Sequence, residues 1–383
     1  MKNKLADLKV AIVHDFFVEY GGAERVVEVI HDLFPKAVVY TAVINKKRLN
    51  LHWYRFKDWD FRISWFGKIP FVRNYPSLFR FLTPFIWESF NLSGYDLVIS
   101  SSGWFMCKGV LTRPETLHLS YIHHQNKFLT YYETPDDWQS NWLKRFYGYL
   151  VGTPLRMWDY LSSARPDLLL ANSQETRRRI NKYYRRDSLV LYPPVRDPQL
   201  KLGQKQRETA GYYLNVNRLS RPKHVEVLVQ AANQLGITLY IVGGGKEYQF
   251  LKSIAKPNVI FTGEISDIEL SRLYLGAKGF LFASEDDEFG IAPVEAMMHG
   301  IPVIAYKSGG LKETVIHGKN GLLVDSLDPN LFASAIKRLE KSEFQQYSSN
   351  AYKMAKQFST AVFKEKLQRI ITAHLGLSNA KSH

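Results

Sequence analysis

Short apolar runs bounded by polar residues, with helical stretches between them, recur along both halves of this chain, and few folds accommodate that alternation. In the first half the runs are Lys9–Val13, Ala37–Thr41, Asp96–Ser100, Leu117–Ile122 and Asp167–Ala171. They lack strict apolar–polar alternation, as expected of parallel strands covered on both faces. After the first run, Val26, Val27, Ile30, Leu33 and Phe34 recur at helical spacing and predict an amphipathic helix. In the second half the strands read as Tyr212–Asn217, Thr238–Val242, Val259–Thr262, Gly279–Ala283 and Pro302–Ala305. Ser266-Asp267-Ile268-Glu269 spells a capping box, and Asp328-Pro329 opens another helix. The expected fold class is α/β, with two doubly wound Rossmann-like domains. Such folds bind ligand at the carboxyl ends of their strands, here in a cleft between the domains.

A chain of 383 residues is long enough for two cores. The expected division is a first domain over 1–195 with an insertion at about 46–90, and a second over 196–359. A final amphipathic helix, in 360–383, is expected to return to the first domain. Tyr192-Pro193-Pro194-Val195 and the polar stretch to Gly211 read as the linker. No internal sequence repeat is found.

Composition excludes several classes. A hydrophobic content of 45% with 23% charged residues is that of a globular protein, not a disordered one. No apolar run reaches the roughly 18–20 residues that cross a bilayer. Met1–Val13 lacks the apolar centre and cleavage site of a signal peptide. The single cysteine, Cys107, cannot form an intramolecular disulfide or a cysteine-based zinc cage. These features lead to the expectation of a cytoplasmic protein.

The net charge of +15 calls for an anionic partner or surface. All eight tryptophans fall in the first 158 residues, and Leu51–Phe90 holds fourteen aromatics interleaved with Arg55, Lys57, Arg62, Lys68, Arg73 and Arg80. Aromatics mixed with cations suit a membrane interface, an aromatic-rich core, or single-stranded nucleic acid. No RNA-binding signature of the RRM or KH type accompanies them, so the membrane surface is the favoured partner and nucleic acid is not expected.

Four constellations carry chemistry. In Glu285-Asp286-Asp287-Glu288-Phe289-Gly290-Ile291-Ala292-Pro293-Val294-Glu295, a Gly-containing turn joins carboxylates to a helix that Pro293 opens. The N–H groups of Phe289 to Ala292 then share the space of the acids, and donors beside acceptors suit a hydroxyl-rich ligand. A solvated acidic loop beside a helix would read the same way. Arg218 and Lys223 follow the first strand of the second domain, where two cations can offset a diphosphate through charge-assisted hydrogen bonds. Val242-Gly243-Gly244-Gly245 gives backbone room for a nucleotide without matching the dinucleotide fingerprint. In the first domain, Gly21-Gly22-Ala23 opens a helix whose free N–H groups suit an anion, though a tight turn would look alike. His123, in Tyr121-Ile122-His123-His124-Gln125, ends a strand and can donate to a phosphate or a sugar hydroxyl. Asp58-Trp59-Asp60 has the form of a metal-holding Asp-x-Asp but lies inside the aromatic insertion, so no metal site is expected.

Taken in order, these pieces resemble the retaining glycosyltransferases of family 4, which have the two-domain GT-B fold. The motifs are Gly21–Arg25, His123, Ala171-Asn172-Ser173, Tyr192-Pro193-Pro194-Val195, Arg218/Lys223, and the acidic turn with Glu295-Ala296-Met297. Gly300-Ile301-Pro302-Val303 and Ser308-Gly309-Gly310-Leu311-Lys312-Glu313 follow. Leu92–Lys108 looks closest to mannosyltransferase-like members that build lipid-linked bacterial surface polysaccharides. The resemblance implies an acceptor-binding first domain and a nucleotide-sugar-binding second domain. It implies a nucleotide-diphosphate sugar as donor substrate, GDP-mannose ahead of a UDP-sugar, with no cofactor and no metal. By the same resemblance Arg218 and Lys223 hold the diphosphate, with Phe289, Gly290 and Ile291 beside it, and Glu295 binds the ribose hydroxyls. Asp287 or Glu288 faces the transferred sugar, Gly21 and Gly22 meet the phosphate or acceptor end, and His123 meets the sugar hydroxyls and leaving group. Two departures stand out: Asp287 where the family usually has Glu, and His124-Gln125 where relatives often carry Thr-Pro. The implied function is transfer of a hexose, with mannose expected, onto a polyprenyl-linked saccharide at the inner face of the cell membrane. Transfer to a soluble acceptor and a catalytically silent scaffold of the same fold are the alternatives.

Overall fold

A computed structural model of the chain describes residue 5 and residues 7–130, 132–134, 142–198 and 211–376. The linker segment 199–210 therefore lies outside the described residues. The chain divides into two compact units. Unit 1 comprises residues 1–132, 136–194 and 361–383, and unit 2 comprises 133–135 and 195–360. No helix among the described residues is long and apolar enough to cross a membrane.

Unit 1 is built on a parallel sheet of β1 (Val10–His14), β2 (Val38–Thr41), β3 (Phe61–Ile63), β4 (Leu97–Ser102), β5 (Leu117–Ile122), β6 (Leu168–Ala171) and β7 (Leu189–Val190). The strand order is β3-β2-β1-β4-β5-β6-β7. Among the described residues its α-helices of seven residues or more are α1 (Gly22–Leu33), α2 (Trp142–Ser162) and α3 (Gln174–Tyr184), with α10 described below. Along β1 the pleat sends Val10 and Ile12 into one apolar cluster and Ala11 and Val13 into another on the opposite face. Covering both faces is why the strand sequence shows no alternation.

Unit 2 holds β8 (Tyr212–Val216), α4 (Val225–Leu235), β9 (Leu239–Val242), α5 (Tyr248–Ile254), β10 (Val259–Gly263), α6 (Asp267–Gly276) and β11 (Ala277–Phe282). It continues with α7 (Ile291–Met298), β12 (Val303–Tyr306), β13 (Gly321–Val324), α8 (Pro329–Glu340) and α9 (Phe344–Lys356). Its parallel sheet has the order β10-β9-β8-β11-β12-β13. The last helix, α10 (Thr360–His374), buries Phe363, Leu367 and Ile371 in the core of unit 1. Both sheets reverse strand order beside their first strand, the β1/β4 and β8/β11 gaps, and such switch points are where open α/β sheets take ligand.

The sequence reading differs from these elements in particular ways. β3, β7 and β13 were not expected, and β1 extends one residue past Val13 to include His14. The aromatic insertion divides in two. Phe56, Phe66 and Trp87 are fully buried, and Phe56, Trp59 and Phe61 pack edge-on around Phe17 in the core. Phe71, Tyr75, Leu78, Phe81 and Phe85 stand exposed. Pro293 occupies the third position of α7, not its first, and Gly290 caps the helix at φ 82. Gly243 and Gly245 lie against backbone: a Cβ on either would come within 2.0 or 2.1 Å of the Asn217 or Leu219 carbonyl oxygen. That close approach of two loops, as much as any ligand, explains their glycines.

Candidate functional site

In unit 2 the residues of interest gather at the β8/β11 switch point. β11 ends at Phe282, and the chain then passes through Ala283 and Ser284 into the acidic turn. Lys223 ends a short 3₁₀ turn, Arg221–Lys223, that follows β8. Its Nζ donates to Asp287 Oδ2 at 2.7 Å and to Ser284 Oγ at 3.1 Å, and lies 5.9 Å above the Phe282 ring. The backbone fastens the two loops together, since Glu285 N donates to the Pro222 carbonyl at 2.9 Å. The cation and acid singled out from sequence are thus joined directly.

The acidic turn is clamped from its other side by Ser308-Gly309-Gly310. Asp286 N donates to Ser308 Oγ at 2.9 Å, and Gly310 N donates to the Asp287 carbonyl at 2.8 Å. Gly309 has φ 52, and a Cβ there would sit 2.0 Å from the Asp287 carbonyl oxygen. Phe289 is buried with its ring 5.2 Å from Phe358, so its side chain serves the core. Ile291 begins α7 and Glu288 is half-buried on the turn. Glu295, one turn into α7, accepts from the Tyr274 hydroxyl at 3.5 Å. Tyr274 stacks on His299 at 4.7 Å, and the His299 Nδ1 lies 2.8 Å from the Glu295 carbonyl. Arg218 is exposed on the loop after β8.

In unit 1, three adjacent strand ends bring His14, Ser101 and His123 together. His123 Nε2 lies 2.7 Å from Ser101 Oγ, which lies 3.1 Å from His14 Nδ1. The opposite nitrogen of His14 lies 3.4 Å from Glu24 Oε1 in the first turn of α1. Glu24 Oε2 in turn accepts the Gly21 N–H at 2.8 Å, so that donor of the glycine turn serves Glu24, while Gly22 forms the first helical residue. Next to His14, Asp15 accepts from the N–H groups of Gly103, Phe105 and Cys107 at 2.7–3.0 Å, which fixes the loop after β4. Burial, then the charges His14 and His124 would carry, hold the His123 imidazole well below its ordinary pKa. His123 is therefore neutral near pH 7, and its Nε2 is engaged by Ser101. His124 turns to its own neighbour, with Nδ1 2.7 Å from the Gln125 carbonyl.

His14, Ser101, Glu24 and Ser284 are members of these clusters that sequence reasoning missed. Glu24 and Ser101 lay within the Gly21–Arg25 and Leu92–Lys108 motifs without a role of their own, and His14 directly follows the expected strand Lys9–Val13. The bonds of His14 to Ser101 span 87 residues of sequence and appear only when β1 pairs with β4.

Comparison with known proteins falls in line with this geometry. Residues 199–359 match the family described as glycosyl transferases group 1. The chain is 24% identical over 312 residues to the alpha-1,3/1,6-mannosyltransferase ALG2 of Rhizomucor pusillus, covering 66% of this chain and 65% of that protein. It is 36% identical over 113 residues to a GDP-mannose-dependent alpha-mannosyltransferase of Corynebacterium glutamicum, covering 30% of this chain and 27% of the relative. Among solved structures, Anabaena HepE in complex with UDP and glucose superposes with TM-score 0.68 at 20% identity, over 95% of this chain and 99% of HepE. The sucrose-phosphate synthase of Thermosynechococcus elongatus gives 0.71 at 17% identity, over 97% of this chain and all of that one (100%). Residues 199–359 thus match the group 1 glycosyltransferase family, and the chain shares its fold of two parallel Rossmann-like sheets with GT-B structures.

Proposed function

We propose that this protein is a retaining hexosyltransferase that moves mannose from GDP-mannose onto a lipid-linked saccharide in surface polysaccharide assembly, working at the inner face of the cell membrane. The observation that carries the reading is the Lys223–Asp287–Ser284 cluster at the mouth of β11, on a domain matching the group 1 family. The names of two similar proteins, both mannosyltransferases, favour mannose over other hexoses.

Arg218 and Lys223 take the donor diphosphate, with the backbone of Phe289, Gly290 and Ile291 beside it. Glu295, on the rigid frame of α7, takes the ribose hydroxyls. Asp287 or Glu288 meets the sugar, while His123 and the Gly21-Gly22 turn serve the sugar hydroxyls and the acceptor end. Lys223 is held by Asp287 before donor arrives, and the diphosphate competes for the same ammonium. The acceptor hydroxyl attacks the anomeric carbon from the face the diphosphate leaves. The carbon–oxygen bond to phosphate breaks, the new glycosidic bond forms, and the proton passes to the departing diphosphate. Cations and N–H groups fixed around that leaving group lower the barrier through the electrostatic effect that usually dominates such reactions. Neutralisation by Arg218 and Lys223 makes a metal unnecessary in this scheme, so a chelator should leave the rate unchanged.

The test is transfer of labelled sugar from a panel of nucleotide sugars to a polyprenyl-diphosphate saccharide and to free saccharides. Mannose should move from GDP-mannose to the lipid-linked acceptor, and Lys223→Ala should lower turnover by at least about a hundredfold with melting temperature unchanged. Transfer from a UDP-sugar alone would overturn the donor, transfer to free saccharide alone would overturn the acceptor, and normal turnover by Lys223→Ala would remove that residue from the site.

A further inference from the structure

α2 is a surface helix with the wrong outer face. It packs on unit 1 through Gly148, Val151, Gly152, Leu155, Asp159 and Ser162, a stripe at helical spacing. The opposite side of such a helix is ordinarily polar. Here it carries Trp142, Phe146, Tyr149, Leu150, Met157 and Leu161, each 61–73% exposed. A helix that is apolar on two sides buries both, in protein or in lipid. A second exposed apolar cluster adjoins it, because the Tyr147 hydroxyl of α2 donates to the Leu78 carbonyl at 2.8 Å. Around Leu78, Phe71, Tyr75 and Phe81 are also exposed.

Charge identifies what covers this face. The one carboxylate of α2 is Asp159, which is buried and bonded to Lys108 and Tyr184, whereas Lys144, Arg145 and Arg156 are exposed. From Phe61 to Trp87 there is no acidic residue at all. Two copies of such a face would bring like charges together, and an acidic bilayer would not. Indole and phenol rings among aliphatic chains and flanking cations are what the headgroup region accepts.

We infer that the outer face of α2, continued by the exposed aromatics around Leu78, lies flat in an anionic lipid surface. The inference deepens the membrane reading above and moves its centre from the 46–90 segment to α2. Because Phe146, Tyr149 and Leu150 are each more than half exposed, they can be changed without disturbing the core.

Vesicles of phosphatidylcholine with and without phosphatidylglycerol provide the probe, with the full chain sedimented in their presence. The wild type should bind the anionic vesicles, more weakly as salt rises. The triple change Phe146→Ser, Tyr149→Ser and Leu150→Ser should lower the partition coefficient by roughly tenfold per side chain. Phe250→Ser with Ile268→Ser, exposed apolar residues of unit 2, should change it little. Melting temperature and its shift with GDP-mannose should be the same in all three proteins, which reads the donor site separately. Unchanged binding by the triple variant would overturn the α2 assignment while leaving the membrane reading in place. No vesicle binding by the wild type would overturn both, and a dimer in solution that the triple variant dissociates would overturn the α2 assignment.

Discussion

The line Glu24–His14–Ser101–His123 puts a hydroxyl between two imidazoles and a carboxylate at the far end. With Nε2 of His123 bonded to that hydroxyl, the proposed role toward the sugar falls to its other nitrogen. Ser101→Ala should therefore change the nitrogen-15 signature of the His123 ring and slow transfer by about tenfold, the worth of one buried hydrogen bond. An unaltered ring spectrum would detach Ser101 from any positioning role. A second buried histidine bears on stability. Burial first, then the charges of Arg165 and Arg186, pull His118 down to about 3. In the unfolded chain it takes a proton near pH 6.5 while the folded protein does not, so stability falls as pH drops through that value. Between pH 7 and pH 5 the loss from this residue is on the order of 2 kcal/mol. Denaturant titrations of wild type and His118→Gln at the two pH values should show a smaller loss in the variant. An equal loss in both would refute the assignment. At this scale the sequence reveals residues whose position along one strand or turn announces them, such as Lys223, Asp287 and His123. It conceals those, such as Ser101, whose meaning arises only from a neighbour brought in by strand pairing.

Among the elements, the loop pair 284–290 and 308–310 is the most tightly specified. A methyl group on Gly309 would meet the Asp287 carbonyl while holding a left-handed φ. Gly309→Ala should cost at least about 2 kcal/mol and depress turnover along with melting temperature. A variant as stable and active as wild type would show that the two loops can part freely. Strands with four consecutive apolar residues, such as β1 and β6, were legible to within a residue. β3 was not, because its three residues sit among aromatics whose role could equally be core or surface. Both answers hold in that stretch: Phe56 and Phe61 serve the sheet, and Phe71 and Phe85 do not. Composition cannot separate them, since the same ring is buried or presented according to which way a short helix turns. The outer face of α2 escaped for a related reason. Its apolar residues suggest packing until the buried stripe is seen to lie on the other side.

Across the whole molecule, the chain length and the strand–helix alternation were enough to foresee two parallel sheets. The sequence also carried the expectation that the final helix returns to the first domain. Unit 1 is completed by residues 361–383, with Leu367 1% exposed in its core. Leu367→Ala should cost about 2–5 kcal/mol. The loss should appear in hydrogen exchange across β1, β4 and β5, with β8 and β11 unaffected. Equal deprotection of both sheets would show that the units unfold as one.

Where the chain enters and leaves unit 2, it is pinned to itself: Val195 bridges Ser359, and Thr360 N donates to the Val195 carbonyl at 3.1 Å. Synthesis on the ribosome proceeds from one end, so the stretch 195–360 can close on itself before α10 has left the exit tunnel. The earlier-made segment must wait, with the cluster around Val26, Ile30 and Phe363 still lacking its last members. The nascent protein is thus finished in the reverse of the order in which it is made, and its first-made core is the one that chaperones would have to guard longest.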